Sequence, residues 1–394
     1  MIYKIGSLGV EKLSLVTVIG AGPAGLRCAE LIANEGFEVT VLEEHTTVGR
    51  PVQCAGLVSE TGLSELELGL NQEDYVVNSI YGAKMVSPHN VVLKVRKKKP
   101  VAQVIDRFKF DQLLYKRALK AGAKVALGTK LIDITESSLF LEAKGRGELM
   151  KSNVVVAADG PNSLVRNTTH PKIGGESFVH GFQYRVEGSF DKKMVELHFG
   201  SYAKGFFAWV IPESETIARI GIGAKLGQDI EKRMKVFMQE KKFDVKILSK
   251  SSALIPVINP LKQLVGTNTL LLGDAAFQTK ATTGGGIVMG LNAAEIAAES
   301  VANNLKHNSP LKEYENNIAP VNKELALHWK IRAYLNSLND HKLDDLFAKA
   351  KNAGIEAFLE EHGDMDKPSR FVKKILLKPR LWGLAPTAMR FILG

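Results

Sequence analysis

The hydrophobic pattern opens with a strand signal, a helix signal and a second strand signal. Residues 16–19 are a β-branched apolar run, typical of a strand buried in a parallel sheet. Residues 26–34 have helical periodicity that ends near a glycine, and residues 39–42 form the next apolar run. Two more short runs, 154–158 and 270–272, predict further strands of the same parallel type.

The middle of the chain has a different pattern. Residues 177–225 alternate between apolar and polar positions, which predicts antiparallel strands over 182–186, 194–199, 206–211 and 218–223. Helices are predicted over 112–121, 229–239 and 287–303, and amphipathic helices continue from 312 into the tail. We therefore expect an α/β protein with three parts: a discontinuous Rossmann-type domain (14–60, 100–175 and 250–303), a β-rich substrate domain (61–99 and 176–249) and a helical C-terminal region (304–394).

Between the first strand and the first helix lies the glycine-rich turn Gly20-Ala-Gly22-Pro-Ala-Gly25. The first glycine permits the tight bend, the second lets the backbone approach a pyrophosphate, and the third lets helix and strand pack closely. Free N–H groups at the helix start favour the pyrophosphate charge. Glu43 ends the second strand 23 residues after Gly20, where a carboxylate can bind ribose hydroxyls. A glycine turn alone is weak evidence, but all four features together predict a dinucleotide site.

The composition is that of a globular protein. Of 394 residues, 45% are apolar and 24% are charged, and no apolar run approaches the roughly 20 residues that span a bilayer. The first residues lack the features of a signal peptide, so a cytoplasmic location is expected. Cys28 and Cys54 are the only cysteines, too few to hold an iron–sulfur cluster or a structural zinc by themselves. The histidines show no HxxH or HExxH spacing, so we predict no metal site.

The net charge of +10 is concentrated near the C-terminal end. No acidic residue follows Asp366, and apolar residues alternate with seven basic ones: Lys367, Arg370, Lys373, Lys374, Lys378, Arg380 and Arg390. This pattern over 367–394 suits peripheral contact with an anionic membrane surface, such as the inner face of the cell membrane. A segment that packs on the protein with its lysines in water has the same pattern, so both arrangements stay open. We expect no nucleic acid partner, because no nucleic-acid-binding fold accompanies the charge.

Three dinucleotide-type stretches recur in order: GxGxxG at 20–25, DGxxSxxR at 159–166 and GD at 273–274. With Arg107 in a DRxxFD sequence, this set resembles the FAD-binding architecture of the p-hydroxybenzoate hydroxylase superfamily. The resemblance implies FAD as cofactor, with Glu43 on the adenosine ribose and Asp274 on a hydroxyl of the ribityl–pyrophosphate portion. It also implies that Arg107 lies along the pyrophosphate and that Asp159 braces the glycine-rich loops. The cofactor-binding residues expected on this basis are Gly20, Gly22, Ala24, Gly25, Glu43, Glu44, Arg50, Cys54, Ala55, Gly56, Arg107, Asp159, Gly160, Gly273, Asp274, Gly285, Gly286 and Ile287.

Two further stretches are similar to motifs of the geranylgeranyl reductases. PVQCAG at 51–56 looks like their PxxCxG loop, and FAWVIP at 207–212, followed by GIG at 221–223, is similar to their YxWxFP…GxG element. Phe207 replaces the tyrosine and Ile211 replaces the phenylalanine, so the match is incomplete. In that family the element lines the tunnel for the isoprenoid, although the residues alone fit plain sheet core equally well. The substrate-binding residues implied are Phe207, Trp209, Pro212, Gly221 and Gly223.

The resemblance also implies a reaction. An FAD-dependent reductase would saturate isoprenoid double bonds of geranylgeranyl chains, in archaeal-type glycerophospholipids, by hydride transfer from reduced flavin N5. Gly284, Gly285 and Gly286 begin a predicted helix, whose N–H groups can favour negative charge on reduced flavin. Cys54 is implied near the reacting flavin edge, as a proton donor or a positioning group, and a small buried cysteine is the alternative. Because the chain has one GxGxxG, the electron donor is expected to be NADPH that docks transiently, or a ferredoxin.

Other activities of the same superfamily stay open. FAWVIP also resembles the WxWxIP element of flavin-dependent halogenases, with Phe207 in place of the first tryptophan, so a halogenase or flavin monooxygenase is one alternative. The PxxCxG loop counts against it. An electron carrier to membrane quinone is a second alternative, which the missing cluster cysteines weaken. A non-catalytic FAD-binding protein is disfavoured by the presence of Cys54 and of the glycines at 284–286.

Overall fold

The computed structural model describes residues 12–135, 138–143, 145–170, 173–375 and 377–384. Its strands are β1 (Lys12–Ile19), β2 (Val39–Glu43), β3 (Leu57–Ser59), β4 (Val76–Ile80), β5 (Gly82–Val86), β6 (Val92–Arg96), β7 (Ala102–Ile105), β8 (Lys124–Leu127), β9 (Thr129–Ile134), β10 (Ser138–Ala143), β11 (Arg146–Ala157), β12 (Phe178–Glu187), β13 (Met194–His198), β14 (Ala208–Pro212), β15 (Ile217–Lys225), β16 (Lys246–Pro256) and β17 (Thr269–Leu271). Its α-helices are α1 (Pro23–Asn34), α2 (Glu60–Glu65), α3 (Arg107–Lys120), α4 (Leu164–Thr169), α5 (Ile230–Glu240), α6 (Ile287–His307), α7 (Glu313–Asn317), α8 (Ala319–Ser337), α9 (Asp340–Asn352), α10 (Ile355–His362) and α11 (Ser369–Ile375).

The first sheet has the order β8-β2-β1-β11-β10-β9, with β17 beside β11. β1 is parallel to β2 and β11, and β17 is parallel to β11, so the four strands predicted from apolar runs are neighbours. Val18 lies between Val41 and Val156 in this ladder and is 0% exposed, as expected for a parallel sheet covered on both faces. β1 begins at Lys12, before the predicted run, because residues 12–14 continue the pairing with β11.

Helices α1, α3 and α6 contribute the apolar residues that cover this sheet. α1 begins at Pro23, earlier than its apolar periodicity predicted, because the fixed φ and missing N–H of proline suit the first helical position. α6 extends to His307, and buried alanines such as Ala294 and Ala297 let it pack closely on α1. This close approach brings the N-terminal ends of α1 and α6 to the same side of the sheet, where a Cβ atom on Gly290 would lie 3.2 Å from the Cβ of Ala24.

The second sheet has the order β16-β12-β15-β14-β13-β5-β6, and a small third sheet has the order β3-β7-β4. The four strands predicted within 177–225 are present and pair with one another antiparallel, as predicted. β13 also runs parallel to β5, which lies outside this region. β5 and β16 were not predicted. β16 carries mostly exposed or half-exposed side chains without clear alternation, so its strand character depends on pairing with β12.

The described part of the C-terminal region packs on the protein. Val372, Ile375 and Leu381 are buried in a cluster with Phe347 and Phe358, while the lysines between them are exposed. This part of the tail therefore adopts the packed arrangement that the sequence left open. Residues 376 and 385–394 lie outside the described residues, and Arg390 is among them. The division into three domains stays a prediction.

None of the described helices is both long and apolar enough to cross a bilayer.

Candidate functional site

A large cavity lies between the carboxyl ends of β1, β2 and β11 and the face of the second sheet. Its volume is 1160 Å³, beyond the about 300–1,000 Å³ of ordinary ligand pockets. Ligands of open α/β sheets bind at this strand edge. The predicted residues that line the cavity are Gly22, Ala24, Gly25, Glu43, Glu44, Arg50, Cys54, Ala55, Gly56, Arg107, Asp159, Gly160, Phe207, Trp209, Gly273, Asp274, Gly284, Gly285, Gly286 and Ile287.

Four predicted residues are not part of the described cavity wall: Gly20, Pro212, Gly221 and Gly223. Pro212 ends β14, and its carbonyl accepts a hydrogen bond from the side chain of Asn78 at 2.8 Å. The two glycines of β15 face aromatic rings of the wall from behind. Any effect of these four residues on a ligand is therefore transmitted through neighbouring residues.

The glycine-rich turn excludes side chains at two positions. Gly20 has φ +98°, and a Cβ atom there would lie 2.4 Å from the carbonyl oxygen of Ala158. A Cβ atom at Gly25 would lie 2.1 Å from the carbonyl oxygen of Gly20. The space beside Gly22 is open, and no side chain of the described chain caps α1 at that residue. The first N–H groups of α1 are thus available to an anion in the cavity.

Glu43 is held at the end of β2 by the turn itself. Its Oε2 accepts a hydrogen bond from the N–H of Ala21 at 2.8 Å, and its Oε1 accepts one from the N–H of His45 at 2.9 Å. The carboxylate therefore lies at the cavity wall beside the glycine-rich turn. That it binds a ribose stays a prediction.

Asp159 and Arg166 connect the turn after β11 to the turn after β17. Oδ2 of Asp159 accepts a hydrogen bond from the N–H of Leu164 at 2.8 Å and so holds the start of α4. The buried guanidinium of Arg166 donates to the carbonyl of Pro161 at 2.7 Å and to that of Ala275 at 3.1 Å. Burial raises the pKa of the Asp159 carboxyl, against the opposing effect of hydrogen bonds from Ser163, Val165 and Leu164. The DGxxSxxR motif thus fixes two loops of the cavity relative to each other.

Asp274 lies beside the start of α6. Its Oδ1 accepts a hydrogen bond from the hydroxyl of Thr279 at 2.8 Å, and burial raises the pKa of its carboxyl. A Cβ atom at Gly286 would lie 2.7 Å from that same oxygen, so a side chain there would displace the Asp274 carboxylate. Gly286 is the N-cap of α6, and within the described residues no side chain caps this 21-residue helix. A second helix N-terminus therefore opens into the cavity.

Arg107 and Cys54 lie side by side in the cavity wall. Arg107 donates to both carboxylate oxygens of Asp111, at 3.1 and 2.9 Å. That it lies along a pyrophosphate stays a prediction. Although burial disfavours its charge, the Asp111 carboxylate and, in its thiolate form, Cys54 raise the pKa of Arg107 above its ordinary value. Cys54 is half-buried, and its Sγ accepts a hydrogen bond from the N–H of Gly56 at 3.3 Å. The thiol thus lies at the cavity wall beside a permanent cation.

The far end of the cavity is apolar. The rings of Phe206 and Phe207 stack with centroids 4.2 Å apart, and Phe207 meets Trp209 edge-on at 5.9 Å. Ala55 of the PxxCxG loop and Leu57 at the start of β3 pack against the same cluster. Further lining comes from aliphatic side chains: Ile80, Val195, Leu197, Ile211 and Ile255. An apolar compartment thus adjoins the loop that carries Cys54.

Sequence reasoning missed a group of buried polar residues on the wall near the 282–286 loop. Lys280 forms a buried ion pair with Asp366. Nε2 of His328 donates to the Asp366 carbonyl at 3.1 Å, so Nδ1 accepts from the hydroxyl of Thr282 at 2.5 Å. Burial, followed by the charge of Lys280, lowers the pKa of His328 to about 4. Nothing in the sequence marks these residues, because the partners are separated by 38 to 86 positions along the chain.

The cavity fits an extended dinucleotide such as FAD. Two uncapped helix N-termini supply N–H donors for negative charge, and Glu43 and Asp274 supply acceptors for hydroxyl groups. The glycines of the turn at 20–25 permit close backbone contacts, and those at 284–286 place no side chain between the loop and the cavity. The apolar end leaves room for a second molecule beside the dinucleotide.

Comparison with known proteins agrees with this geometry. A family model described as an FAD binding domain matches residues 14–327. A digeranylgeranylglycerophospholipid reductase of Methanocaldococcus jannaschii is 31% identical over 387 residues, covering 92% of this chain and 95% of that protein. The chain belongs to the geranylgeranyl reductase family of FAD-binding proteins. It is an FAD-dependent oxidoreductase of the type that acts on CH–CH groups, and FAD is its cofactor.

A second curated relative and two solved structures are also similar to this chain. Digeranylgeranylglycerophospholipid reductase 1 of Methanothermobacter thermautotrophicus is 29% identical, covering 92% of this chain and 94% of that protein. A solved geranylgeranyl bacteriochlorophyll reductase-like protein of Thermoplasma acidophilum has TM-score 0.84 at 22% identity, covering 96% of this chain and 100% of that one. A flavin-dependent brominase has TM-score 0.70 at 16% identity, with 89% and 92% covered. These solved structures confirm the predicted α/β FAD-binding fold.

Proposed function

We propose that this oxidoreductase saturates the isoprenoid double bonds of geranylgeranyl chains, and that these chains belong to archaeal-type glycerophospholipids. The observation that carries the proposal is the apolar compartment lined by Phe207 and Trp209, which adjoins the loop of Cys54 in one cavity. Such a wall suits a long hydrocarbon, because it removes apolar surface from water without offering polar partners. The names of the curated relatives support the same lipid class.

The reaction adds a hydride to one alkene carbon and a proton to the other. Bound FAD, once reduced, supplies the hydride from N5. In our proposal the thiol of Cys54 gives its proton to the second carbon, the S–H bond breaks as the new C–H bond forms, and solvent later reprotonates the sulfur. The Arg107 guanidinium beside Cys54 stabilises the thiolate left behind. The N–H groups at Gly285 and Gly286 favour negative charge at the loop before α6.

Mass spectrometry tests the proposed activity directly. A geranylgeranyl phospholipid is incubated anaerobically with purified protein whose FAD has been chemically reduced. The lipid should gain mass in steps of paired hydrogens. An unchanged lipid, with FAD bound and reoxidised by air, would overturn the proposed substrate and move the assignment toward the monooxygenase or electron-carrier alternatives.

Replacing the two cysteines separately tests the role of Cys54. Cys54→Ala should retain FAD and fold normally, but lower turnover by about 10²-fold or more, because general acid catalysis is lost. Cys28→Ala is the matched control, since Cys28 is fully buried in α1 and burial raises its pKa to about 12. Steady-state turnover and FAD absorbance are compared. Full activity in Cys54→Ala would contradict the proton-donor role.

The electron donor is proposed to be NADPH docking transiently, or a ferredoxin. This sequence has a single glycine-rich turn of the GxGxxG type, at 20–25, which supports a donor that docks transiently. Anaerobic stopped-flow reduction of the bound FAD by each donor distinguishes the two. A donor that reduces the bound FAD more slowly than the protein turns over lipid is excluded as the physiological electron donor.

We further propose that the protein contacts anionic membranes through electrostatic attraction at its C-terminal region. Lys373, Lys378 and Arg380 are exposed, and Leu377 between them is 78% exposed. Phe371, in the same segment, lines the cavity. Lys367 and Arg370 take a smaller part, since both pair with carboxylates of the protein: Glu65 and Asp364. This arrangement would bring the cavity close to lipids.

A further inference from the structure

Arg332 of α8 lies behind the cavity wall and is only 2% exposed. Its guanidinium donates to three main-chain carbonyls: that of Ala281 at 2.9 Å, that of Phe206 at 3.1 Å and that of Thr282 at 2.6 Å. It also lies over the Phe206 ring, 4.5 Å from the centroid. The planar fork of an arginine matches these three acceptors in a way that a lysine ammonium cannot.

The positive charge of Arg332 has no carboxylate among its partners in the described chain. Burial lowers the pKa of its guanidinium to about 9, so it stays protonated at neutral pH. The neighbouring cation, Lys280, is neutralised by its ion pair with Asp366. His328, whose pKa is lowered by burial, is uncharged at neutral pH. Of these three described basic side chains, Arg332 is thus the one whose positive charge no carboxylate neutralises.

That charge is close to the loop that begins α6. Arg332 holds the carbonyl of Thr282, and both Thr282 and Gly284 line the cavity. A Cβ atom at Gly284 would lie 3.2 Å from the edge of the Phe206 ring that Arg332 covers. Charges buried in protein are screened far less than charges in water, so the field of Arg332 extends into the cavity.

We propose that Arg332 is a positioning residue that raises the reduction potential of bound FAD, because its buried charge favours the more negative, reduced cofactor while its fork holds the 281–286 loop. The inference rests on the flavin ring lying at that loop, as the proposed function requires. It needs no lipid substrate. Failure of the lipid assay and failure of this inference are therefore separate outcomes.

The test compares Arg332→Gln and Arg332→Lys with the wild-type holoenzyme. Each is equilibrated anaerobically with a reference dye, and the ratio of reduced to oxidised FAD is read from absorbance. At a fixed ratio of reduced to oxidised dye, Arg332→Gln should lower the ratio of reduced to oxidised FAD at least tenfold. For a two-electron couple this corresponds to a reduction potential lower by about 30 mV. Arg332→Lys should stay within about threefold of wild type, because the charge is kept. Both should unfold at lower temperature, because buried carbonyls lose their donors.

Comparison of the two variants separates charge from positioning, since both lose the hydrogen-bond fork and only Arg332→Gln loses the charge. A wild-type ratio in Arg332→Gln would overturn the inference. An equal fall of the ratio of reduced to oxidised FAD in both variants would also overturn it, since this would show that only the hydrogen-bond fork matters. Loss of FAD from both folded variants would overturn it as well, because Arg332 would then act on cofactor binding rather than on the potential.

A pH titration keeps the inference falsifiable if Arg332→Gln does not fold. Burial lowers the pKa of a lysine, so the Arg332→Lys charge should be lost within an accessible alkaline range. The FAD potential of that variant should then fall below the wild-type value as the pH rises from about 7 to about 8, below the pKa of about 9 at which Arg332 itself loses its charge. Lys280, His328 and Asp366 face the same wall in both proteins, so their titration cancels in the difference. Parallel profiles would overturn the inference.

Discussion

Gly221 and Gly223 show how single residues shape the cavity without lining it. A Cβ atom at Gly221 would lie 2.2 Å from the Trp209 indole, and one at Gly223 would lie 2.5 Å from the Phe206 ring. The GxG element of β15 therefore leaves space for the Trp209 ring of the neighbouring strand β14 and for the Phe206 ring just before that strand. The motif predicted these glycines as substrate-binding residues, and that direct role stays a prediction.

Gly221→Ala should displace the Trp209 ring and narrow the apolar compartment. We expect a loss of about 1–3 kcal/mol in unfolding free energy from overpacking, together with a higher KM for lipid and retained FAD. Gly147→Ala is the control, because no atom lies within 4 Å of the Cβ position at Gly147. Urea unfolding and lipid kinetics provide the measurements. A variant with normal KM would argue that the tryptophan does not limit the compartment.

His328 should make the protein less stable in mild acid. Its folded pKa is depressed to about 4, below the ordinary 6.5, so between these values the unfolded state binds more protons than the folded state. Stability is therefore lost as the pH falls from about 6.5 toward 4, by about 2 kcal/mol between pH 7 and pH 5. His328→Gln should lose that much less over this interval in urea unfolding. The same slope in both proteins would contradict the assignment.

At the scale of elements, α8 and the segment 363–371 join the C-terminal region to the loop before α6. α8 supplies His328 and Arg332, one helical turn apart, and both hold Thr282. The segment supplies Asp366, whose carboxylate pairs with Lys280 and whose carbonyl accepts from His328. Residues distant in the chain thus position one loop of the cavity.

Breaking the buried ion pair tests this connection. Lys280→Met leaves Asp366 as an uncompensated buried charge and should cost about 3–5 kcal/mol of unfolding free energy. Lys306→Met, which breaks the partly exposed pair with Glu35, should cost no more than about 1 kcal/mol. Denaturant unfolding of both holoenzymes measures the difference. Equal costs would mean that the Lys280 pair contributes no more than a surface contact.

At the scale of the whole molecule, the C-terminal segment carries exposed basic residues and also contributes Phe371 to the cavity wall. The described tail buries its apolar side in the protein and exposes lysines, so any membrane contact there depends on charge and on Leu377. This differs from an amphipathic helix that inserts its apolar face. The attraction should therefore be sensitive to salt.

Charge reversal on two faces tests the membrane contact. Lys373→Glu/Lys378→Glu should weaken binding to anionic liposomes at low salt, with FAD retained. Lys232→Glu/Lys235→Glu makes the same charge change at exposed positions of α5 and should bind normally. Co-sedimentation at low and high salt is the measurement. Equal binding by both variants would show that the C-terminal face is not the contact.

The sequence by itself determined the parallel core, the cofactor and the family. These depend on local signals: β-branched runs at 16–19 and 154–158, the turn at 20–25, and short motifs such as PVQCAG at 51–56. The residue types and their spacing suffice to predict these features, because backbone geometry at a turn or a buried strand restricts the residue types that fit.

Only the tertiary structure decided which distant residues meet. β16 gains its strand character from β12, β13 runs parallel to β5, and Arg107 turns to Asp111. Arg332 and the Lys280–Asp366 pair have ordinary sequence surroundings, and their chemistry arises from burial and from partners far along the chain. Desolvation and long-range pairing are properties of the packed molecule, so no local pattern could predict them.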